Sequence, residues 1–236
     1  MAFKSIYFVS FFLFSFILVD VNASVKEVTT SEQFQEALNE ASPGDEILLK
    51  SEEFVGNFTA KLNGHPGTPI QISGGNVNST SITSLQVAGD YWKIEKLGIY
   101  SLVISGSNNQ LSSASVSDIV FITGNSNKIK SSSFTTSTKT DNENDIPVVM
   151  TVTGNGNSFK SISVAGGSMV LKEESCCGEI SSSSFSDGDL IVKGKNYVMD
   201  AISIAGGAFI ATGCGNKYTH VGVNDGPTQI TNAKEC

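Results

Sequence analysis

The sequence predicts an all-β fold, a right-handed parallel β-helix with a short N-terminal capping helix. Three observations carry that expectation: a short motif recurring at a near-constant interval, a composition suited to short strands and tight turns, and one amphipathic helical segment ahead of the repeats. Of 236 residues 23 are Gly and only 16% are charged, a mix poor for long helices and rich in turn formers. The length suits one domain with a full core.

The repeat decides the fold. Segments 103–111, 121–129 and 151–159 read VISGSNNQL, FITGNSNKI and TVTGNGNSF. All three run β-branched or apolar residues, Ser or Thr, Gly, two residues, Asn, one residue, apolar. Ser-rich alternation follows each: SSASV, KSSSF and KSISV. Weaker copies stand at 87–94, 191–196 and 210–218. The intervals between Gly89, Gly106, Gly124, Gly154, Gly194 and Gly213 are 17, 18, 30, 40 and 19. The 40 reads as two turns of 20, with Glu174 at the intermediate glycine position. The 30 reads as one turn of about 18 plus an insertion of about 12. Such a period fits a β-solenoid of roughly eight coils stacked about 4.8 Å apart. Asn109, Asn127, Asn157, Asn196 and Asn216, with Cys177 in the same column, are expected to form a structural ladder, their stacked side chains bonding to one another and holding left-handed turns. Ser105, Thr123, Thr153 and Thr212 form too interrupted a column for an ice-binding array.

The N-terminus reads as a secretory signal peptide over 1–23. Lys4 precedes the apolar run IYFVSFFLFSFILV, and Val21, Asn22, Ala23 and Ser24 suit cleavage after Ala23. The run is short for a transmembrane helix, and no other segment reaches spanning length. A single β-helix domain is expected over 24–236, secreted and monomeric. In an oxidising compartment Cys176, Cys177, Cys214 and Cys236 are expected to form two disulfides. Because a bond between adjacent cysteines is strained, Cys176 and Cys177 are each expected to pair with Cys214 or Cys236. Asn57 and Asn78 head glycosylation sequons.

Residues 30–41 read as the capping helix, with Phe34, Leu38 and Ala41 on one face and Thr30 or Ser31 as N-cap. Residues 42–45 (SPGD) stop it, and Glu46 to Leu49 begins a strand. The segments QFQEALNEA (33–41), PGDEILL (43–49), GNF (56–58) and GHPGTPIQI (64–72) resemble the N-terminal cap and first coils of pectate-lyase-like β-helix proteins, and most resemble the alginate lyase and chondroitinase B group. The likeness is confined to this N-terminal stretch and is specific for the fold rather than for activity.

The resemblance implies a Lys base, an Arg and often a bound calcium ion, acting on the proton α to a uronate carboxylate. This chain contains no Arg, so Lys would have to serve in both roles or share them with Ca²⁺. Lys130 and Lys160 fall in one column of adjacent coils and are the candidate catalytic residues. Lys128 and Lys217, in a neighbouring column, are candidates for substrate binding. The insertion at 135–147 carries Asp141, Glu143 and Asp145 at a spacing that can supply oxygen ligands to Ca²⁺, although it departs from the EF-hand pattern. His65 and His220 sit in no triad, and no carboxylate pair suits glycoside hydrolysis. The net charge of -8 argues against nucleic acid as a partner. Two functions follow: a secreted protein that binds extracellular or cell-wall polysaccharide, as a host-directed effector without established catalysis, or an active lyase that cleaves a uronic-acid polymer by β-elimination.

Overall fold

The computed structural model describes residues 23–75, 79–136 and 147–231. They form 22 strands and one α-helix, and every strand pairing is parallel. The strands make three sheets wound along one axis. Sheet 1 stacks ten strands, from Val25–Val28 and Glu46–Leu49 through Lys128–Lys130 and Ser158–Lys160 to residues 217–219. Sheet 2 runs from residues 53–54 to 222–224, and sheet 3 from residues 57–60 to 228–230. The expected β-helix is present, with ten rungs in sheet 1 rather than roughly eight coils. The glycine spacing undercounts because the first strands of that sheet, Val25–Val28, Glu46–Leu49 and Ile70–Ser73, precede the first corner glycine: the helix joins the first two, Glu53–Ala60 lies between the next two, and Leu62 stands one rung before Gly89.

Alternation along each short strand sends one side chain inward and the next outward. Ile129, Phe159, Ile180 and Met199 follow one another inside sheet 1, and Val116, Phe134, Val164 and Phe185 inside sheet 2, all at most 2% exposed. Neighbouring rungs bury one another's apolar residues, which no rung can do alone.

The helix spans Ser31–Glu40. Thr30 is extended at the N-cap and its hydroxyl accepts from Gln33 N at 3.2 Å, while the Gln33 side chain accepts from Thr29 N at 2.9 Å. Phe34 is fully buried against Phe54 and Phe58, at ring-centre distances of 5.5 and 4.7 Å. The helix therefore covers the apolar end of the stack. No helix among the described residues is long and apolar enough to cross a membrane.

The corner from sheet 3 to sheet 1 is built by glycine and asparagine. A Cβ at Gly106, Gly124, Gly154 or Gly213 would lie 1.7–2.0 Å from the carbonyl oxygen of the glycine one rung before, so no larger residue fits. Three residues on, Asn109, Asn127 and Asn157 are buried. The Oδ1 of each accepts from the backbone N of the preceding rung, at Trp92, Asn109 and Asn127. The Nδ2 of each donates to a glycine carbonyl, at Gly89, Gly106 and Gly124. The ladder thus runs from side chain to backbone, not from side chain to side chain. Three assignments shift by one residue. Ser175, not Glu174, stacks on Gly194, and Gly178 and Tyr197, not Cys177 and Asn196, occupy the ladder position. Cys177 and Asn196 instead take the left-handed turn just before it, with φ of 62° and 56°.

The disulfide pairing also differs from expectation. Cys176 is bonded to Cys177, with Cα atoms 3.7 Å apart, and Cys214 is disulfide-bonded as well. Register explains why Cys214 does not pair with the adjacent cysteines. Cys176 bridges to Lys195, and Asn196 N, on the next residue, donates to Cys214 O one rung further on. Two rungs is about 10 Å, beyond the Cα separation of roughly 4.4–6.8 Å that a disulfide spans. Cys236 lies outside the described residues.

Candidate polyanion-binding face

The outer face of sheet 1 collects the chain's candidate chemistry. Its first outward column runs Glu46, Gln71, Lys93, Gln110, Lys128, Ser158, Glu179, Val198, Lys217. Its second runs Leu48, Ser73, Glu95, Ser112, Lys130, Lys160, Ser181, Asp200, Thr219. Lys130 and Lys160 are therefore directly in register, as the repeat predicts, with Lys128 on the same strand as Lys130. All three are exposed and make no ion pair among the described residues. Lys217 shares the Lys128 column but stands four rungs away, about 19 Å, with Glu179 between them, so it lies outside the cluster.

Lys93 and Asp200, on either side of the cluster, have partners of their own. On the N-terminal side Lys93 pairs with Glu95 at 2.8 Å and donates to Gln71, whose amide reaches both Glu46 and Glu95. On the C-terminal side His220 lies 3.0 Å from Asp200, and that hydrogen bond, more than any other influence, holds the Asp200 carboxyl below the usual carboxylate range. A cluster of three positive charges thus survives on a chain whose net charge is -8.

Beside the lysines the chain turns from sheet 1 to sheet 2 through a single left-handed residue. Ser113, Ser131, Ser161 and Ser182 hold that position on successive rungs, with φ of 49° to 54°. Together with Ser133, Ser163 and Ser184 they line an open cleft of 490 Å³, and its lining residues Ser131 and Ser161 directly follow Lys130 and Lys160 in the chain. A second cleft of 460 Å³, lined by Glu53, Ser81, Thr83, Tyr100, Ser115 and Ser117, lies N-terminal to it on sheet 2. One outward column joins the two: Ser81, Gly98, Ser115, Ser133, Ser163, Ser184 and Ser203, six rung steps or about 29 Å long. Tyr100 stands 48% exposed over the second of these clefts. Hydroxyls that both donate and accept, with an aromatic platform, suit sugar rings, and the bordering ammoniums suit carboxylates.

Three expected features are only partly placed. Asp141, Glu143 and Asp145, the candidate Ca²⁺ ligands, lie outside the described residues, as does Asn78. Asn57 is exposed on sheet 3, open to a glycan. Two features carry no motif in the sequence. One is the His220–Asp200 pair, whose partners stand one full turn of the helix apart along the chain. The other is the serine corner, which reads as plain alternation until the left-handed residue is placed.

The sequence matches no protein-family model and no curated protein. Solved structures match in shape. An alginate lyase from Paenibacillus sp. str. FPU-7 superposes with a TM-score of 0.59 at 17% identity, over 87% of this chain and 99% of that one. A mannuronic acid specific polysaccharide family 6 lyase from human gut microbiota gives 0.53 at 15%, over 84% of this chain and 64% of that one. The PL6 family alginate lyase AlyGC gives 0.51 at 14%, and there this chain spans 40% of the other's length. The chain has the pectate-lyase-like parallel β-helix fold that its N-terminal segments resemble.

Proposed function

We propose that this is a secreted protein that binds an extracellular, carboxylate-bearing polysaccharide along the face formed by Lys128, Lys130 and Lys160 and the adjoining serine cleft, and that it acts as a host-directed effector without established catalysis. One observation carries the reading: three ammoniums without an ion-pair partner among the described residues stand on two adjacent rungs beside a hydroxyl-lined cleft, in a chain of net charge -8. The fold's likeness to polysaccharide lyases supports a glycan as the ligand. The absence of Arg speaks against a lyase, because no planar, bidentate partner for a uronate carboxylate is available.

A second reading rests on the register of Lys130 with Lys160. One amine would take the proton α to the carboxylate while the other ammonium neutralises that carboxylate. The C–H electron pair becomes the new C=C bond, the C–O bond to the leaving sugar breaks, and the departing oxygen acquires a proton. Asp141, Glu143 and Asp145 would hold Ca²⁺ if the ion takes part, adding charge at the carboxylate.

One experiment separates the two. Purified protein is incubated with polygalacturonate, alginate and chondroitin, with and without calcium, while binding and the ultraviolet absorbance of unsaturated uronate are followed. Salt-sensitive binding with flat absorbance is the expected result. Absorbance that rises, and stops rising in Lys130→Ala or Lys160→Ala, establishes the lyase instead. Equal affinity for a neutral glucan would overturn both.

A further inference from the structure

Asp45 is the most enclosed carboxylate among the described residues, 4% exposed. It stands in the turn that follows the capping helix. Its Oδ2 accepts from Ser42 N at 2.8 Å, and its Oδ1 accepts from both Ser24 N at 2.9 Å and Ser24 Oγ at 2.8 Å. Ser24 also opens the backbone hydrogen bonding among the described residues, since its carbonyl accepts from Glu46 N at 2.8 Å. The sequence independently marks the bond before Ser24 as the end of a signal peptide. A neutral amide N–H is a modest partner for a buried carboxylate, whereas an α-ammonium at the same atom would compensate its charge.

We infer that Asp45 is the receptor for a new chain terminus: hydrolysis of the Ala23–Ser24 bond by a signal peptidase leaves an α-ammonium on Ser24 that forms a partly buried ion pair with the Asp45 carboxylate. Water supplies the atoms. The C–N bond breaks, hydroxyl goes to the Ala23 carbonyl, and the amine of Ser24 keeps a proton. Ala23 and Ser24 are both exposed, so the bond is reachable while the Asp45 carboxylate is not.

The other charges nearby are accounted for. Lys26 draws on Asp45 but is paired with Glu40 at 3.2 Å. Glu46 turns to Gln71 and Ser73. Burial works to raise the Asp45 carboxyl, but the hydrogen bonds from Ser42 and Ser24 outweigh it and hold the group below the usual carboxylate range. Stability from this lowered carboxyl is present above its unfolded value of about 3.9 and is lost as pH falls through its folded value. The paired amine has the opposite sign: its contribution is present below the unfolded value of about 7.7–8.0 and is lost as pH rises through the raised folded value.

The test compares the chain beginning at Ser24 with a free amine and the same chain retaining an acetylated Ala23. At pH 6.5 the first melts higher, by about 2–4 °C. At pH 10 the two coincide, and Asp45→Asn abolishes the difference at pH 6.5. Equal melting at pH 6.5, or a difference that survives Asp45→Asn, overturns the inference. Should Asp45→Asn fail to fold, the titration of the Ser24 amine decides. A value raised above the ordinary range of about 7.7–8.0 supports the pair, and an ordinary value overturns it. Protein secreted from a eukaryotic host must also begin at Ser24, and any other first residue sinks the assignment. None of these outcomes depends on glycan binding.

Discussion

The same corner is built in two ways along this molecule. Through Asn109, Asn127 and Asn157 the turn from sheet 3 to sheet 1 is closed by buried amides, each satisfying a backbone N–H and a glycine carbonyl of the preceding rung. Beyond Asn157 the amides are gone for two rungs. Gly178 leaves the position empty of side chain and Tyr197 fills it, so a Cβ on Gly178 would lie 2.5 Å from the Tyr197 ring. The Tyr197 hydroxyl is buried with no well-placed acceptor, the Ser175 hydroxyl beside it donates to Lys172 O, and burial above all pushes the phenol up from its ordinary value. Asn216 then resumes the ladder by accepting from Tyr197 N. The backbone path is constant, while its stabilisation switches from hydrogen bonding to volume. The disulfide Cys176–Cys177 sits at this switch.

The two halves should break differently. In the amide half the largest effect is expected from Gly124→Ala, whose Cβ would lie 1.8 Å from Gly106 O. Backbone, not a yielding side chain, opposes it, so a loss of about 4 kcal/mol or more is expected in urea unfolding. Asn127→Leu follows. It strips a partner from Asn109 N and from Gly106 O inside the core, and each buried orphan costs roughly 1–3 kcal/mol. A loss below about 1 kcal/mol would mean that the ladder is ornamental.

In the aromatic half the effects are coupled. Gly178→Asn alone meets both the Tyr197 ring and the Asn157 carbonyl oxygen, each 2.5 Å from its Cβ, and should destabilise by about 3 kcal/mol or more. Tyr197→Asn alone leaves a void and costs about 3–5 kcal/mol. The double substitution removes the clash with the ring but not that with the Asn157 carbonyl oxygen, so its cost should fall short of the sum, with a coupling of roughly 1–3 kcal/mol in the cycle. Additive losses would show that Gly178 and Tyr197 are not a matched pair.

How far the sequence makes this legible depends on which residues carry the signal. The period marks Gly106, Gly124 and Gly154 because nothing else fits there, and the amphipathic face marks the helix through Phe34 and Leu38. Lys130 opposite Lys160 follows from counting residues after those glycines. The count fails where the chemistry changes. Between Gly154 and Gly194 no glycine survives at the corner, and Asn196 catches the eye although the ladder position is Tyr197. Cys176 and Cys177 show the same limit, because a pairing argued from strain ignores the rung separation that rules out Cys214. The serine corner is hidden for another reason. Its left-handed turn at Ser113, Ser131, Ser161 and Ser182 uses residues that carry no conformational signature of their own.

The smallest effect tests the outside of these rungs against their inside. Lys130 and Lys160 project from the strands whose neighbours Ile129 and Phe159 pack the core, yet they meet no opposite charge among the described residues. Like charges directly opposite in a sheet repel. Lys130→Ala should therefore leave thermal stability unchanged or raise it slightly, within about 0.5 kcal/mol, whereas Ile129→Ala should cost about 2–5 kcal/mol. The same Lys130→Ala change should weaken polyuronate binding by roughly two- to five-fold at low salt, the worth of one exposed charge contact, and the deficit should shrink as salt screens it. A lysine tolerated at a small cost to folding but needed for binding is held there by the ligand. If Lys130→Ala destabilised the fold as Ile129→Ala does, or bound polyuronate as the unaltered protein does, this face would be only the outer surface of the stack.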